Sequence, residues 1–103
     1  MFLVLVELEA RPECSIALEA LLRKLAAGAS AEAGTRYYAV HRPHERAHSF
    51  ILYELYGMRS DWEAHLRLET VQHALAQFDS MLAAPPVVTL CDTVATSLPM
   101  KTA

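Results

Sequence analysis

Two segments of the chain carry apolar residues on both faces of a predicted β-strand. Side chains of a strand alternate between its two faces, so residues 2–9 (FLVLVELE) and 49–56 (SFILYELY) each divide into two sets. In the second segment one set is Phe50, Leu52, Glu54 and Tyr56, and the other is Ile51, Tyr53 and Leu55. Because neither set is polar enough to face water freely, we expect these strands to be covered on both sides.

The segment between these two strands begins as a predicted amphipathic helix. Pro12 suits the first turn of a helix, and Gly34 is a suitable residue for its end. The apolar positions between them have helical spacing: Leu18, Leu21, Leu22, Leu25 and Ala29. Residues 36–41 predict a further strand, and the polar segment RPHERAH connects it to the strand at 49–56.

A second helical region, in two parts, follows the SFILYELY strand. Residues 60–63 (SDWE) have the pattern of a capping box, in which the side chains of Ser60 and Glu63 each accept the other's backbone N–H. A short helix is expected to continue to Leu66. A longer helix is predicted by the apolar stripe of Val71, Leu75, Phe78 and Leu82. Residues 87–94 (VVTLCDTV) predict the last strand.

The order of these elements is β-α-β-β-α-β, which predicts an α+β, ferredoxin-like fold with a four-stranded antiparallel sheet and helices on one side. The open side of such a sheet would expose more apolar area than soluble monomers do. We therefore predict that a second copy of the chain covers it and that the two sheets close a dimeric α+β barrel. Residues 1–96 are expected to form the single domain, and residues 97–103 a C-terminal tail.

Composition narrows the class of protein. The chain has 103 residues, of which 53% are hydrophobic and 20% charged, so one packed domain is expected. The formal net charge is −3 and the basic residues are scattered, which gives no support to nucleic-acid binding. The first residues are too briefly apolar for a signal peptide or a membrane span, so we expect a cytoplasmic protein with no membrane contact. Cys14 and Cys91 have no metal-binding or redox spacing.

Residues 50–66 resemble the signature of the antibiotic biosynthesis monooxygenase domain. The residues that carry the likeness are Phe50, Tyr53-Glu54-Leu55-Tyr56 and His65-Leu66, and the segments AGTRYYAVHRP and LVELEARPE are also similar. The likeness covers about residues 1–96. It implies a dimer with a pocket between the sheet and the helices of each subunit. Members of the family include small oxygenases that oxidise phenolic or quinol-like rings without flavin, haem or metal, whereas others degrade haem or isomerise a small phosphorylated sugar.

The chain departs from the family pattern at two places. Many members continue the helix signature with a second His after His65, but residues 65–70 read HLRLET. In haem-degrading members an axial His lies about ten residues beyond the position of His65. Leu75 occupies that place, and Leu cannot ligate iron. We therefore do not expect haem degradation.

Two residues are candidates for catalysis. Glu54 lies in a core strand, where a buried carboxyl with a raised pKa could take a phenolic or enolic proton. The alternative is a structural carboxylate bonded to an amide, an Arg or a Tyr. His65 could act as a base or donate a hydrogen bond to a developing oxyanion. The alternative is a histidine packed against its helix.

Aromatic residues near these two are candidates for substrate binding. Trp62 and Tyr38 could flank a flat ring, although packing in the core is the competing interpretation. Tyr56 shares the strand face of Glu54, and Tyr53 does not. No metal site is predicted, because the histidines of the HRPHERAH segment (His41, His44 and His48) lack the ligands that would complete one.

These observations favour three functions in turn. The first is a monooxygenase that needs no cofactor and acts on a small aromatic or quinol-type compound. The second is an isomerase or enolising enzyme that moves a proton on a small ketone. The third is a homodimer that binds a small molecule and catalyses nothing.

Overall fold

The computed structural model describes residues 1–98 and confirms the predicted order of elements. Its strands are β1 (Phe2–Glu9), β2 (Thr35–His41), β3 (Ser49–Tyr56) and β4 (Val87–Asp92). Its helices are α1 (Ser15–Ala29), which follows a short 3₁₀ turn at Pro12–Cys14, then α2 (Arg59–Leu66) and α3 (Glu69–Met81). The protein thus has the ferredoxin-like α+β fold that the pattern predicted.

The four strands form one antiparallel sheet in the order β2-β3-β1-β4. The two strands that are apolar on both faces, β1 and β3, therefore lie at the centre, where both edges of each are hydrogen-bonded. They pair from Phe2 opposite Tyr56 to Glu9 opposite Ser49. Strand β2 begins one residue earlier than predicted and has a register shift between Thr35 and Tyr37. Such an irregularity adds local twist at the edge of the sheet.

The hydrophobic core lies between one face of the sheet and the helices. Alternate residues of β1 and β3 point into it, since successive side chains of a strand point to opposite sides. The core cluster on the strands consists of Phe2, Val4, Val6, Leu8, Phe50, Leu52 and Tyr56. Helix α1 contributes Leu18 and Leu22, and Phe78 of α3 and Leu82 close the same core.

The helix boundaries correct two details of the prediction. Helix α2 begins at Arg59 and its N-cap is Met58, so the capping box predicted at Ser60 is wrong. Asp61 stands three residues after Met58 and accepts its backbone N–H at 3.1 Å, which is the geometry of a capping carboxylate. Helix α1 ends at Ala29 rather than near Gly34, because the hydroxyl of Ser30 donates to the carbonyl of Ala27 and competes with the helix.

The apolar stripe of α3 is rotated relative to the prediction. Val71 and Phe78 are buried as expected, but the residue between them that faces the core is Ala74. Leu75 is 41% exposed. A small residue at the closest approach of the helix to the core explains the difference, since side-chain volume decides which of two neighbouring positions can lie nearest the sheet.

The face of the sheet turned away from the helices is largely apolar. Its side chains include Leu3, Leu5, Ile51, Tyr53 and Leu55, which are buried or half-buried in a single chain, and Tyr37, which is 45% exposed. The edge strand β4 also exposes Val87, Val88 and Leu90. No helix within residues 1–98 is long and apolar enough to cross a membrane. Of the predicted tail, 97–103, residues 99–103 lie outside the described part of the chain.

Candidate active site

Glu54 and Tyr56 lie two residues apart on the helix-facing side of β3. Glu54 is only 5% exposed, and the Tyr56 hydroxyl donates a 2.6 Å hydrogen bond to its Oε1. Burial raises the pKa of Glu54 above the ordinary carboxyl value, although the Tyr56 hydrogen bond and the nearby His65 oppose the rise. Burial and the adjacent Glu54 also raise the pKa of Tyr56, so its hydroxyl keeps its hydrogen and remains a donor.

His65 projects from α2 toward the same part of the sheet and is 5% exposed. Its Nε2 lies 4.0 Å from Oε1 of Glu54, and its Nδ1 lies 2.7 Å from Oε1 of Glu32. The imidazole also contacts two tyrosine rings, with centroid distances of 5.9 Å to Tyr38 and 5.6 Å to Tyr56. Two carboxyl groups and two phenols therefore surround one buried imidazole.

Glu32 is the member of this cluster that sequence reasoning missed. It lies in the turn between α1 and β2, where its Oε1 also accepts a 3.2 Å hydrogen bond from the hydroxyl of Thr35. Its side chain is 18% exposed, more than that of Glu54 or His65. No spacing or motif pointed to it, because 33 residues separate it from His65 and only the packing of α1 against β2 and α2 brings the two together.

A cavity of about 150 Å³ lies beside Glu54 and His65. Most of its lining is apolar: Val4, Val6, Leu25, Leu52, Leu66, Val71, Leu75, Phe78, Pro86 and Val88. Tyr38 and Trp62 complete the wall together with the two titratable residues. An apolar pocket with a few convergent polar groups is the usual form of a small-molecule site. A cavity of about 150 Å³ in another protein holds one benzene molecule, which sets the scale of a ligand that fits.

The structure brings four of the five predicted site residues to the cavity and sets the fifth behind them. Glu54, His65, Trp62 and Tyr38 line it, whereas Tyr56 contacts Glu54 without lining the cavity. Trp62 also packs on Phe2, with ring centroids 5.7 Å apart. Burial raises the pKa of Tyr38, and the charge of Glu54 adds to that rise. Tyr38 therefore keeps its hydroxyl hydrogen beside the cavity.

Other polar groups do not form a second centre within residues 1–98. Tyr53 lies on the opposite face of the sheet, where its ring contacts Tyr37 edge-on at 5.7 Å. In the described part of the chain no group of three or more His, Cys, Asp or Glu residues is placed to hold a metal ion, the histidines of the HRPHERAH segment included. Cys14 and Cys91 are half-buried free thiols.

Comparison with known proteins agrees with this architecture. The sequence model of the family described as antibiotic biosynthesis monooxygenase matches residues 1–77. Rv0793 from Mycobacterium tuberculosis is 25% identical and superposes with a TM-score of 0.89 over 94% of this chain and 98% of its own. A candidate antibiotic biosynthesis monooxygenase from Nitrosomonas europaea is 18% identical, with a TM-score of 0.88 over 92% of this chain and 100% of its own.

A third solved structure extends the likeness over almost the whole chain. A candidate antibiotic biosynthesis monooxygenase from Deinococcus radiodurans is 21% identical, with a TM-score of 0.87 over 97% of this chain and 99% of its own. No curated protein matches the sequence. At 18% and 21% identity, the last two likenesses speak for the fold.

Proposed function

The chain belongs to the antibiotic biosynthesis monooxygenase family, and on that premise we propose that it is a monooxygenase that needs no flavin, haem or metal and acts on a small aromatic or quinol-type compound. The observation that carries the proposal is the placement of Glu54 and His65 together on the wall of an otherwise apolar cavity. Such a wall excludes water from a reacting ring and offers it a proton acceptor at one point.

The proposed reaction begins with removal of the phenolic proton by His65 or Glu54. The resulting phenolate is electron-rich at the ring carbon opposite its oxygen, and molecular oxygen adds there. Loss of water then leaves a quinone, so that one phenol and one O₂ give one quinone and one H₂O with no other reductant. The substrate's own ring supplies the electrons that a cofactor supplies in other oxygenases.

Each site residue has a role in this scheme. Trp62 and Tyr38 contact the faces or edges of the substrate ring. Tyr56 does not touch the substrate but holds the Glu54 carboxyl through the 2.6 Å hydrogen bond. The volume of about 150 Å³ favours a compound with a single six-membered ring over a fused polycyclic one.

Oxygen uptake tests the proposal. We expect the pure protein to consume oxygen with a monocyclic hydroquinone or phenol faster than with a reduced naphthoquinone, and in both cases above the buffer blank. His65→Gln and Glu54→Gln should each abolish most of the uptake, whereas the matched control His73→Gln, at an exposed position of α3, should not. No uptake above the blank across a panel of phenols and quinols would discard the proposal.

A second candidate function is favoured by the proximity of the two titratable groups. Glu54, with its raised pKa, and His65 Nε2 are 4.0 Å apart, and such a pair can remove a proton from one atom and return it to another. An isomerase or enolising enzyme on a small ketone would use this pair without oxygen. Incorporation of solvent deuterium into a ketone with no oxygen consumption would select this function over the first.

We also propose that the working protein is a homodimer in which a second copy covers the open face of the sheet. The support is that face itself, with Leu3, Leu5 and Tyr53 on it, and the exposed apolar edge strand β4. Tyr53→Glu should produce monomers in sedimentation velocity, while Ile16→Glu, which changes an exposed apolar residue on α1, should leave dimers. A wild-type protein that is monomeric and folded at micromolar concentration would refute the proposal.

A further inference from the structure

We propose that Glu32 is the positioning residue of the cavity: its carboxylate accepts the hydrogen on Nδ1 of His65 and holds the imidazole in the tautomer whose Nε2 lone pair faces Glu54 and the cavity. The inference rests on the proposed function, in that it gives His65 the role of the base. Its test is a property of the imidazole that can be measured without turnover.

The geometry of the two imidazole nitrogens is asymmetric. The Nδ1–Oε1 distance of 2.7 Å to Glu32 is in the range of charge-assisted hydrogen bonds. Since an ionised carboxylate can only accept, the hydrogen of this bond belongs to Nδ1. Nε2 is 4.0 Å from Oε1 of Glu54, too far for a hydrogen bond. A hydrogen on Nδ1 therefore leaves a lone pair on Nε2 at the side of the cavity.

Glu32 is held in place from its own side of the molecule. The Thr35 hydroxyl donates to Oε1 at 3.2 Å, and the Thr35 backbone N–H donates to the Glu32 carbonyl at 3.2 Å. The side chain also borders a second, larger space of about 790 Å³ between α1 and α3, which shares Leu25 and Val71 with the wall of the cavity. Glu32 thus keeps contact with water while the imidazole that it orients is buried.

The opposite tautomer would be favoured if Glu32 were absent. The groups that face His65 are then Glu54 and the hydroxyl-bearing rings of Tyr38 and Tyr56. Glu54 is the strongest remaining acceptor, and a small rotation of the imidazole would let an Nε2–H donate to it. That arrangement uses the lone pair a base needs. Glu32 therefore decides which nitrogen is free, although it touches no substrate.

Long-range ¹H–¹⁵N correlation spectra of the imidazole nitrogens test the proposal at neutral pH. His65 is assigned by the signals that disappear in His65→Gln. We expect the wild type to carry its hydrogen on Nδ1 and to have an unprotonated Nε2. Glu32→Ala should move the hydrogen to Nε2, whereas Glu32→Gln, which keeps an acceptor oxygen, should preserve the wild-type pattern. Glu13→Ala, a matched control at an exposed carboxylate, should change nothing.

Two outcomes overturn the proposal. One is a wild-type spectrum in which Nε2 carries a hydrogen, and the other is a Glu32→Ala spectrum that keeps the wild-type pattern. If Glu32→Ala does not fold, Glu32→Asp, which retracts the carboxylate by one methylene, is expected to give the same shift of the hydrogen to Nε2. If the tautomer changes as expected but no variant or wild type consumes oxygen, the proposed function fails and the positioning role stands. If the wild type turns over, Glu32→Ala should lower kcat more than it raises KM.

Discussion

Replacing Tyr56 by Phe removes one hydroxyl from the interior and leaves the ring in place. Tyr56 is fully buried, and its hydroxyl donates to Glu54 at 2.6 Å. Glu54 is itself 5% exposed, and His65 Nε2 is 4.0 Å away from the same oxygen. The variant therefore leaves a buried carboxyl without its hydrogen-bond donor, and the free energy of unfolding should fall.

The size of the loss depends on the ionisation of Glu54. A net hydrogen bond between neutral groups contributes about 0.5–1.5 kcal/mol, and one to a charged group about 1.5–3 kcal/mol. Because burial raises the pKa of Glu54, the folded protein keeps this carboxyl neutral at acidic pH and ionises it only above the ordinary carboxyl range. We expect Tyr56→Phe to cost about 1 kcal/mol at pH 4.5 and about 2–3 kcal/mol where Glu54 is ionised.

The sign of the pH dependence follows from proton binding. The pKa of Glu54 is higher in the folded than in the unfolded chain, so the folded state binds more protons between the two values. The contribution of Glu54 to stability is therefore fully present below the unfolded pKa and is lost as pH rises through the folded pKa. The Tyr56 hydroxyl lowers the pKa of Glu54. Its removal extends the loss over a wider range of pH.

Urea denaturation followed by circular dichroism measures this difference from pH 4.5 to pH 9, at one protein concentration so that any association contributes equally. The double-mutant cycle with Glu54→Gln isolates the pair, because the amide of that variant cannot ionise and the cost of Tyr56→Phe should then be independent of pH. A cost that is the same at every pH, and the same in the Glu54→Gln background, would refute the ionisation argument.

Three further substitutions test the packing through their urea midpoints. Gly34→Ala would place a Cβ 2.4 Å from Cγ of Asp61 and displace the carboxylate that caps Met58, so we expect a loss of about 0.5–2 kcal/mol; an unchanged midpoint would contradict this. Gly28→Ala meets no atom within 4 Å and should stabilise α1 by about 0.5–1 kcal/mol, whereas destabilisation would show a contact that the structure lacks. Leu22→Ala, at a fully buried position of α1, should cost about 2–5 kcal/mol, and a cost below about 1 kcal/mol would mean that the core collapses around the gap.

Local pattern was sufficient for the fold because it reports how each element is oriented about its own axis. The alternation in β1 and β3 identified the two central strands, and by itself it placed Glu54 and Tyr56 on the same face. The signature that ends at His65 supplied the family, and with it the prediction that a pocket lies between the sheet and the helices.

Tertiary structure alone decided which side chains of different elements meet. Glu32 reaches His65 across 33 residues, and a shift of one residue in a turn would separate them, so no periodicity could announce the pair. The cap at Asp61 and the burial of Ala74 in place of Leu75 were decided by the same cause. A pattern along the chain encodes direction, whereas the distance between two elements is set by the volumes packed between them.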